Sequence, residues 1–192
     1  MELGVVGGWS ILCVHDSIHT VMWIGGAMNE YYLNPSQEHI RELPRENVLV
    51  CNFASGITTP SLYQELIAYK GKYRIATKRG FSNQVRECKT LVLNGGSSPL
   101  LIDTLNSIKG WQHYLKNKNV VAYSAGISAL ARYSFNFDIN RVVQGLGIIP
   151  YNTIVHYDNS PRMKMGWSTL KLCFPFTQVL CIEDKDTYVF EE

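Results

Sequence analysis

Apolar residues fall along this chain in short blocks, with polar, helix-compatible stretches between them. Val48-Leu49-Val50-Cys51 within residues 47–53, Leu91-Val92-Leu93 within Thr90–Asn94, and Val120-Val121-Ala122-Tyr123 are near-continuous apolar runs. Runs of that length and continuity suit strands buried on both faces. Residues 20–26 (Val21, Met22, Trp23 and Ile24 ahead of Gly25-Gly26) make a fourth. Shorter β-like runs are predicted at Tyr73–Thr77, Thr153–His156, Leu170–Phe174 and Gln178–Ile182, and Asp186–Phe190 is predicted to close a hairpin with Gln178–Ile182. In the first eighteen residues the pattern is weak, with short strands suggested at Val5-Val6 and Ile11–Val14.

Helices are predicted between these runs. Gln37–Leu43 is stopped by Pro44. A second begins at Ser61 and runs to Lys70, and Gln84–Cys88 reads as a helical turn. Ser98 can cap a helix with Pro99 at its first position. Leu101, Leu105, Ile108, Trp111 and Leu115 then recur at the spacing of a helix lying on a sheet. Ile127–Tyr133 is helix-like and follows Tyr123 closely. Strands alternating with helices predict an α/β domain with a mostly parallel sheet, and such sheets gather ligands beyond their C-terminal strand ends. Gly25-Gly26, Ser55-Gly56, Gly95-Gly96 and Ser124 stand at those ends.

Composition narrows the picture. The 192 residues are 46% apolar and 18% charged, as in a globular protein, and no repeat or linker divides them, which predicts a single domain over 1–192. A net charge of +2 without a basic run gives no support for a nucleic-acid partner. No apolar run reaches the ~18 residues of a membrane span, and no secretory signal is legible, so a cytoplasmic location without a membrane partner is expected. Five scattered cysteines without a C-x-x-C pair predict free thiols, and no metal or cofactor motif occurs.

The sharpest chemical signal is Ala122-Tyr123-Ser124-Ala125-Gly126. A serine at a strand-to-helix switch has the outline of a nucleophile elbow, whose tight turn requires small residues on either side. Ala122 stands where the full pattern has glycine. A serine needs a base, and the base needs a carboxylate to orient it. Of the five histidines, His156 at the end of an apolar run is the best candidate base, and Asp138 and Glu183 are candidate orienting acids. The N–H of Ala125 and the Gly95-Gly96 backbone can offer the two donors that an oxyanion requires. A Ser124, Asp138, His156 chain order also fits an α/β-hydrolase esterase, but only eighteen residues separate the last two. A thiol enzyme built on Cys51 is disfavoured by its apolar surroundings.

Taken in order, Leu93-Asn94-Gly95-Gly96, Tyr123-Ser124-Ala125-Gly126, Gly145-Leu146-Gly147-Ile148-Ile149-Pro150, His156-Tyr157-Asp158 and Ile182-Glu183-Asp184 resemble the peptidase E and cyanophycinase group of serine peptidases. The resemblance implies a flavodoxin-like three-layer sandwich of the class I glutamine amidotransferase type. It makes Ser124 the nucleophile, His156 the base, and Gly96 with Ala125 the oxyanion hole. The third member is Glu183 if the cyanophycinase-like branch is followed and Asp138 if the aspartyl dipeptidase branch is. Arg162, with Gly95 nearby, would bind the aspartyl carboxylate of a small peptide substrate, and Arg132 is a weaker candidate. The implied activity is an exo- or dipeptidase that forms an acyl-enzyme, and the reading leaves room for a homodimer. Ala122 and a short segment after His156 motivate the alternative, a catalytically inactive relative that binds a small ligand or a protein.

Overall fold

The computed structural model describes residues 3–6, 9–14, 30–44, 46–55 and 72–191. The predicted strand over 20–26, the predicted helix over 61–70, His15, His19 and Gly56 lie outside them.

Among the described residues five parallel strands form one side of the larger sheet. They are β3 (Glu30–Leu33), β4 (Val48–Cys51), β5 (Tyr73–Ile75), β6 (Thr90–Leu93) and β7 (Asn119–Ala122), in the order β3-β7-β6-β4-β5. Every side chain of β4 is buried, and Val120, Val121 and Ala122 of β7 are buried too. That is why these strands read as continuous apolar runs rather than alternating ones. Beyond β3 the sheet turns antiparallel, with β12 (Thr187–Glu191), then β2 (Trp9–Val14), then β1 (Leu3–Val6) at the edge.

A smaller sheet has the order β11-β10-β8-β9. It contains β8 (Tyr133–Asn136), β9 (Arg141–Gln144), β10 (Asn152–Val155) and β11 (Val179–Ile182), with β10 parallel to both β8 and β11. The hairpin predicted between residues 178–182 and 186–190 therefore does not form. β11 stays in the smaller sheet, while β12 crosses into the larger one between β2 and β3.

The helices among the described residues are α1 (Gln37–Glu42), α2 (Phe81–Glu87), α3 (Ser98–Ser107), α4 (Ala125–Leu130) and α5 (Pro161–Cys173). The cap of α3 is Ser97, one residue before the predicted Ser98, and its hydroxyl accepts from the Leu100 N–H at 3.4 Å. The apolar stripe predicted through Leu115 breaks after Ser107. Gly110 takes a left-handed φ of 79°, and Trp111–Tyr114 form a separate 3-10 turn. Trp111 folds back so that its indole N–H donates to the Leu105 carbonyl, and its ring meets Phe81 edge-on with centroids 5.4 Å apart. Pairs of that geometry contribute about 0.5–1.5 kcal/mol beyond their burial. Of Leu170–Phe174, predicted as a strand, Leu170–Cys173 instead form the last turn of α5 and Phe174 is its C-cap. A short apolar run carries no period of its own, and the Ser160 cap with Pro161 commits the chain to a helix nine residues earlier.

The main core joins the larger sheet to α3, α4 and the smaller sheet, through Leu33, Leu93, Leu101, Leu105, Ile127 and Tyr151 among others. A second cluster, Phe135, Ile154 and Leu170, packs α5 on the smaller sheet. The architecture is an α/β three-layer sandwich of the flavodoxin type with a mostly parallel central sheet. Among the described residues no helix is long and apolar enough to cross a membrane.

Candidate active site

β7 ends at Ala122 and α4 begins at Ala125, so Ser124 occupies the switch between strand and helix. Its φ of 45° and ψ of −104° lie outside the regions that L-residues ordinarily use. Such a conformation costs roughly 1–3 kcal/mol and persists only where the surroundings enforce it. Here a hydrogen bond from the Gly126 N–H to the Tyr123 carbonyl, at 2.7 Å, closes the turn. The Tyr123 N–H is anchored on the Leu93 carbonyl at 3.0 Å. Gly126 is obligatory, because a β-carbon there would lie 2.3 Å from the Leu93 carbonyl oxygen. Ala122 is fully buried in β7, and its methyl group fits the position where the full elbow pattern has glycine.

The Gly95-Gly96 loop lies beside this turn. A β-carbon on Gly95 would sit 3.4 Å from Cβ of Ser124 and 4.0 Å from its Oγ. Gly96, at φ 132°, passes so close to Ala54 that a β-carbon would meet its carbonyl oxygen at 2.7 Å. Two asparagines brace the neighbouring strand ends, with the Asn94 side-chain amide donating to Oδ1 of Asn52 at 2.6 Å. Ala125 opens α4, so its N–H has no acceptor within the helix.

His156 follows β10 and has a left-handed φ of 58°. Its Nε2 lies 2.9 Å from Oγ of Ser124. Nδ1 lies 2.5 Å from Oδ1 of Asp184. Ser124, His156 and Asp184 thus form one hydrogen-bonded chain, although they come from three separate strand ends. Side-chain exposures of 57% for His156 and 77% for Asp184 leave this chain open to solvent.

The carboxylate on His156 is neither of the two expected from sequence. Glu183 precedes Asp184 in a turn closed by the Asp186 N–H on the Glu183 carbonyl at 3.1 Å. Its charge acts instead on Tyr157 and on Cys181, whose thiol is pushed up to about 11, first by burial and then by Glu183. Asp184 stands one residue further along this turn, so one step along the chain decides which acid meets the imidazole. Asp138 is exposed beyond β8, with its N–H on Oδ1 of Asn136. β10 lies between β8 and β11, and the Tyr157 N–H bonds the Ile182 carbonyl at 3.0 Å. That bond draws the His156 segment toward the end of β11 and away from Asp138. An esterase arrangement of Ser124, Asp138 and His156 is therefore not formed. The Ile182-Glu183-Asp184 segment is legible in the sequence, but the choice of Asp184 within it rests on a turn with no composition signal of its own.

Arg162 lies in the first turn of α5. Its Nη2 donates to the Phe137 carbonyl at 2.5 Å, and its guanidinium covers the Phe137 ring at 5.2 Å. Among the described residues no hydrogen bond links it to Ser124 or His156. Arg132 is exposed, and its backbone N–H bonds the Tyr151 carbonyl. Cys51 is fully buried, and burial pushes its thiol up to about 12, which suppresses the thiolate that a nucleophile would need.

A scan against protein-family models finds no match, and neither does a search of curated proteins. Solved structures do match. A peptidase from an acI-B1 Actinobacterium aligns with a TM-score of 0.65 and 16% identity, over 88% of this chain and 86% of its own. A Listeria monocytogenes EGD-e protein that provisionally carries the name peptidase E aligns with a TM-score of 0.60 and 14% identity, over 84% of this chain and 93% of its own. At these identities the likeness establishes a shared fold.

Proposed function

We propose that the chain is a serine peptidase of the peptidase E type, acting on small peptides beside an aspartyl residue. The observation that carries this reading is the 2.9 Å contact between Oγ of Ser124 and Nε2 of His156, made by a serine held in a strained elbow. The names of the two structural neighbours support the same reaction class.

In the proposed reaction, Asp184 accepts from Nδ1–H and so keeps Nε2 unprotonated and aimed at Ser124. His156 takes the serine proton as Oγ attacks the peptide carbonyl. The oxyanion settles between the N–H groups of Ala125 and Gly96, each such donor contributing roughly 10²–10³-fold in rate. His156 then passes its proton to the leaving amine, which departs and leaves an acyl-enzyme on Ser124. Water attacks that ester with His156 again as base, and the second product leaves with Ser124 restored. Gly95 lets the substrate backbone approach Ser124 closely. Arg162 spends one N–H on Phe137, which leaves further donors of its planar fork for the aspartyl carboxylate.

The test is Ser124→Ala, assayed on Asp-X dipeptides and with a fluorophosphonate probe. Loss of both turnover and labelling in a folded protein is expected. Undiminished turnover would overturn the reading, and a wild-type chain inert to both reagents would favour the binding-module alternative.

A further inference from the structure

Asp184 is exposed and sits in a turn, so something must hold that turn against His156. The residue that grips it comes from the far side of the sequence. Asn34 follows β3 with a left-handed φ of 52°. Its side-chain Nδ2 reaches three backbone carbonyls of the turn, those of Glu183 at 3.2 Å, Asp184 at 3.1 Å and Asp186 at 3.1 Å. Three acceptors around one atom identify that atom as the amide nitrogen. The backbone of Asn34 is engaged as well. Its N–H donates to the Ala122 carbonyl at 2.8 Å, two residues before Ser124. Its carbonyl accepts from Oγ1 of Thr187 at 3.0 Å, at the start of β12.

We infer that Asn34 is a positioning residue for the Ser124–His156–Asp184 chain, an inference that rests on the proposed peptidase reading. One residue ties the strand that delivers Ser124 to the turn that delivers Asp184. It touches neither the imidazole nor the substrate. It acts by fixing the distance between the two ends of the hydrogen-bonded chain, with Asp184 as intermediary. Asparagine suits the task twice, since it tolerates a positive φ and carries an amide donor on a short stem.

The experiment compares Asn34→Gly with Asp184→Asn in the full-length chain. Glycine keeps the left-handed backbone and removes only the side-chain amide. The expected result for Asn34→Gly is a kcat on Asp-X dipeptides lower by about 10- to 100-fold with KM unchanged, the scale of a small misplacement at a reacting centre. The downfield Nδ1–H proton signal of His156 in the NMR spectrum should shift or broaden in the same variant. In an Asp184→Asn background, Asn34→Gly should change neither kcat nor the imidazole signal further. Wild-type kcat with an unshifted signal, or a full additional loss in that background, overturns the inference. If Ser124→Ala shows that the chain is no hydrolase, the imidazole signal still reports whether Asn34 governs the His156–Asp184 contact. If Asn34→Gly does not fold, the wild-type protein supplies the answer. Its Asn34 side-chain amide resonances should move as His156 is titrated and stay still in Asp184→Asn, and an amide indifferent to that titration in the wild type counts against the inference.

Discussion

Nδ1 of His156 meets Oδ1 of Asp184 at 2.5 Å, while Glu183, one residue earlier, makes no hydrogen bond to the imidazole among the described residues. Asp184→Asn should therefore lower kcat/KM on Asp-X dipeptides by roughly 10⁴-fold, the cost of losing the carboxylate that fixes the imidazole tautomer. Glu183→Gln and Asp138→Asn should stay close to wild type. Steady-state kinetics on the three variants checks the assignment, and a collapse in Glu183→Gln with Asp184→Asn intact would reverse it.

His156 can accept the serine proton only while its imidazole is neutral. His156→Gln should therefore lower kcat/KM on Asp-X dipeptides by about 10²–10⁴-fold while the protein stays folded, as steady-state kinetics would show. Undiminished turnover in that variant would remove His156 as the base.

Gly126→Ala would force a β-carbon into the Leu93 carbonyl, 2.3 Å away in a packed strand end. The backbone cannot yield there without moving β6 or the elbow. A loss of about 1–3 kcal/mol in urea unfolding is expected, as for other overpacked sites, together with loss of fluorophosphonate labelling. Ala122→Gly is the opposite case. It restores the full elbow pattern but removes a buried methyl from a strand, so it should cost about 0.5–1 kcal/mol and give no gain in turnover.

The thiols should separate cleanly. Cys173 is exposed and Cys51 is buried, so iodoacetamide should modify Cys173 in the native protein and reach Cys51 only after unfolding, as peptide mass analysis would show. The raised Cys51 value also has a sign in stability. Between the ordinary thiol value of 9.0 and about 12, the folded state keeps a proton that the unfolded chain has released. This contribution is present below the ordinary value and is lost as pH rises through that window. Cys51→Ala should flatten the alkaline fall in unfolding free energy relative to wild type.

Much of the fold is legible in sequence because buried parallel strands announce themselves. Residues 48–51, 91–93 and 120–122 are continuous apolar blocks, and the bounds of the strands that contain them differ from the expected ones by a residue or two. The elbow was legible for a similar reason, since a tight turn restricts the residues around Ser124 to small ones. What failed depended on partners rather than on local pattern. Residues 187–191 look like one arm of a hairpin, yet their partners are β2 and β3, and pairing choice is not written in a period of two. The third member of the site failed similarly, because Glu183 and Asp184 differ by a single step in a turn. Asn34 carried no signal at all, since its role lies in three carbonyls some 150 residues away.

The crossing of β12 into the larger sheet has a consequence for when the site can exist. Ser124 belongs to the larger sheet, His156 to the smaller one, and Asp184 to the turn that carries the chain from one to the other. Each sheet alone holds only part of the arrangement. A chain with β7 and β10 formed but β12 not yet threaded between β2 and β3 has its serine and histidine and no carboxylate held in register. The site is in this sense a seam, closed by the strand that stitches the two sheets together.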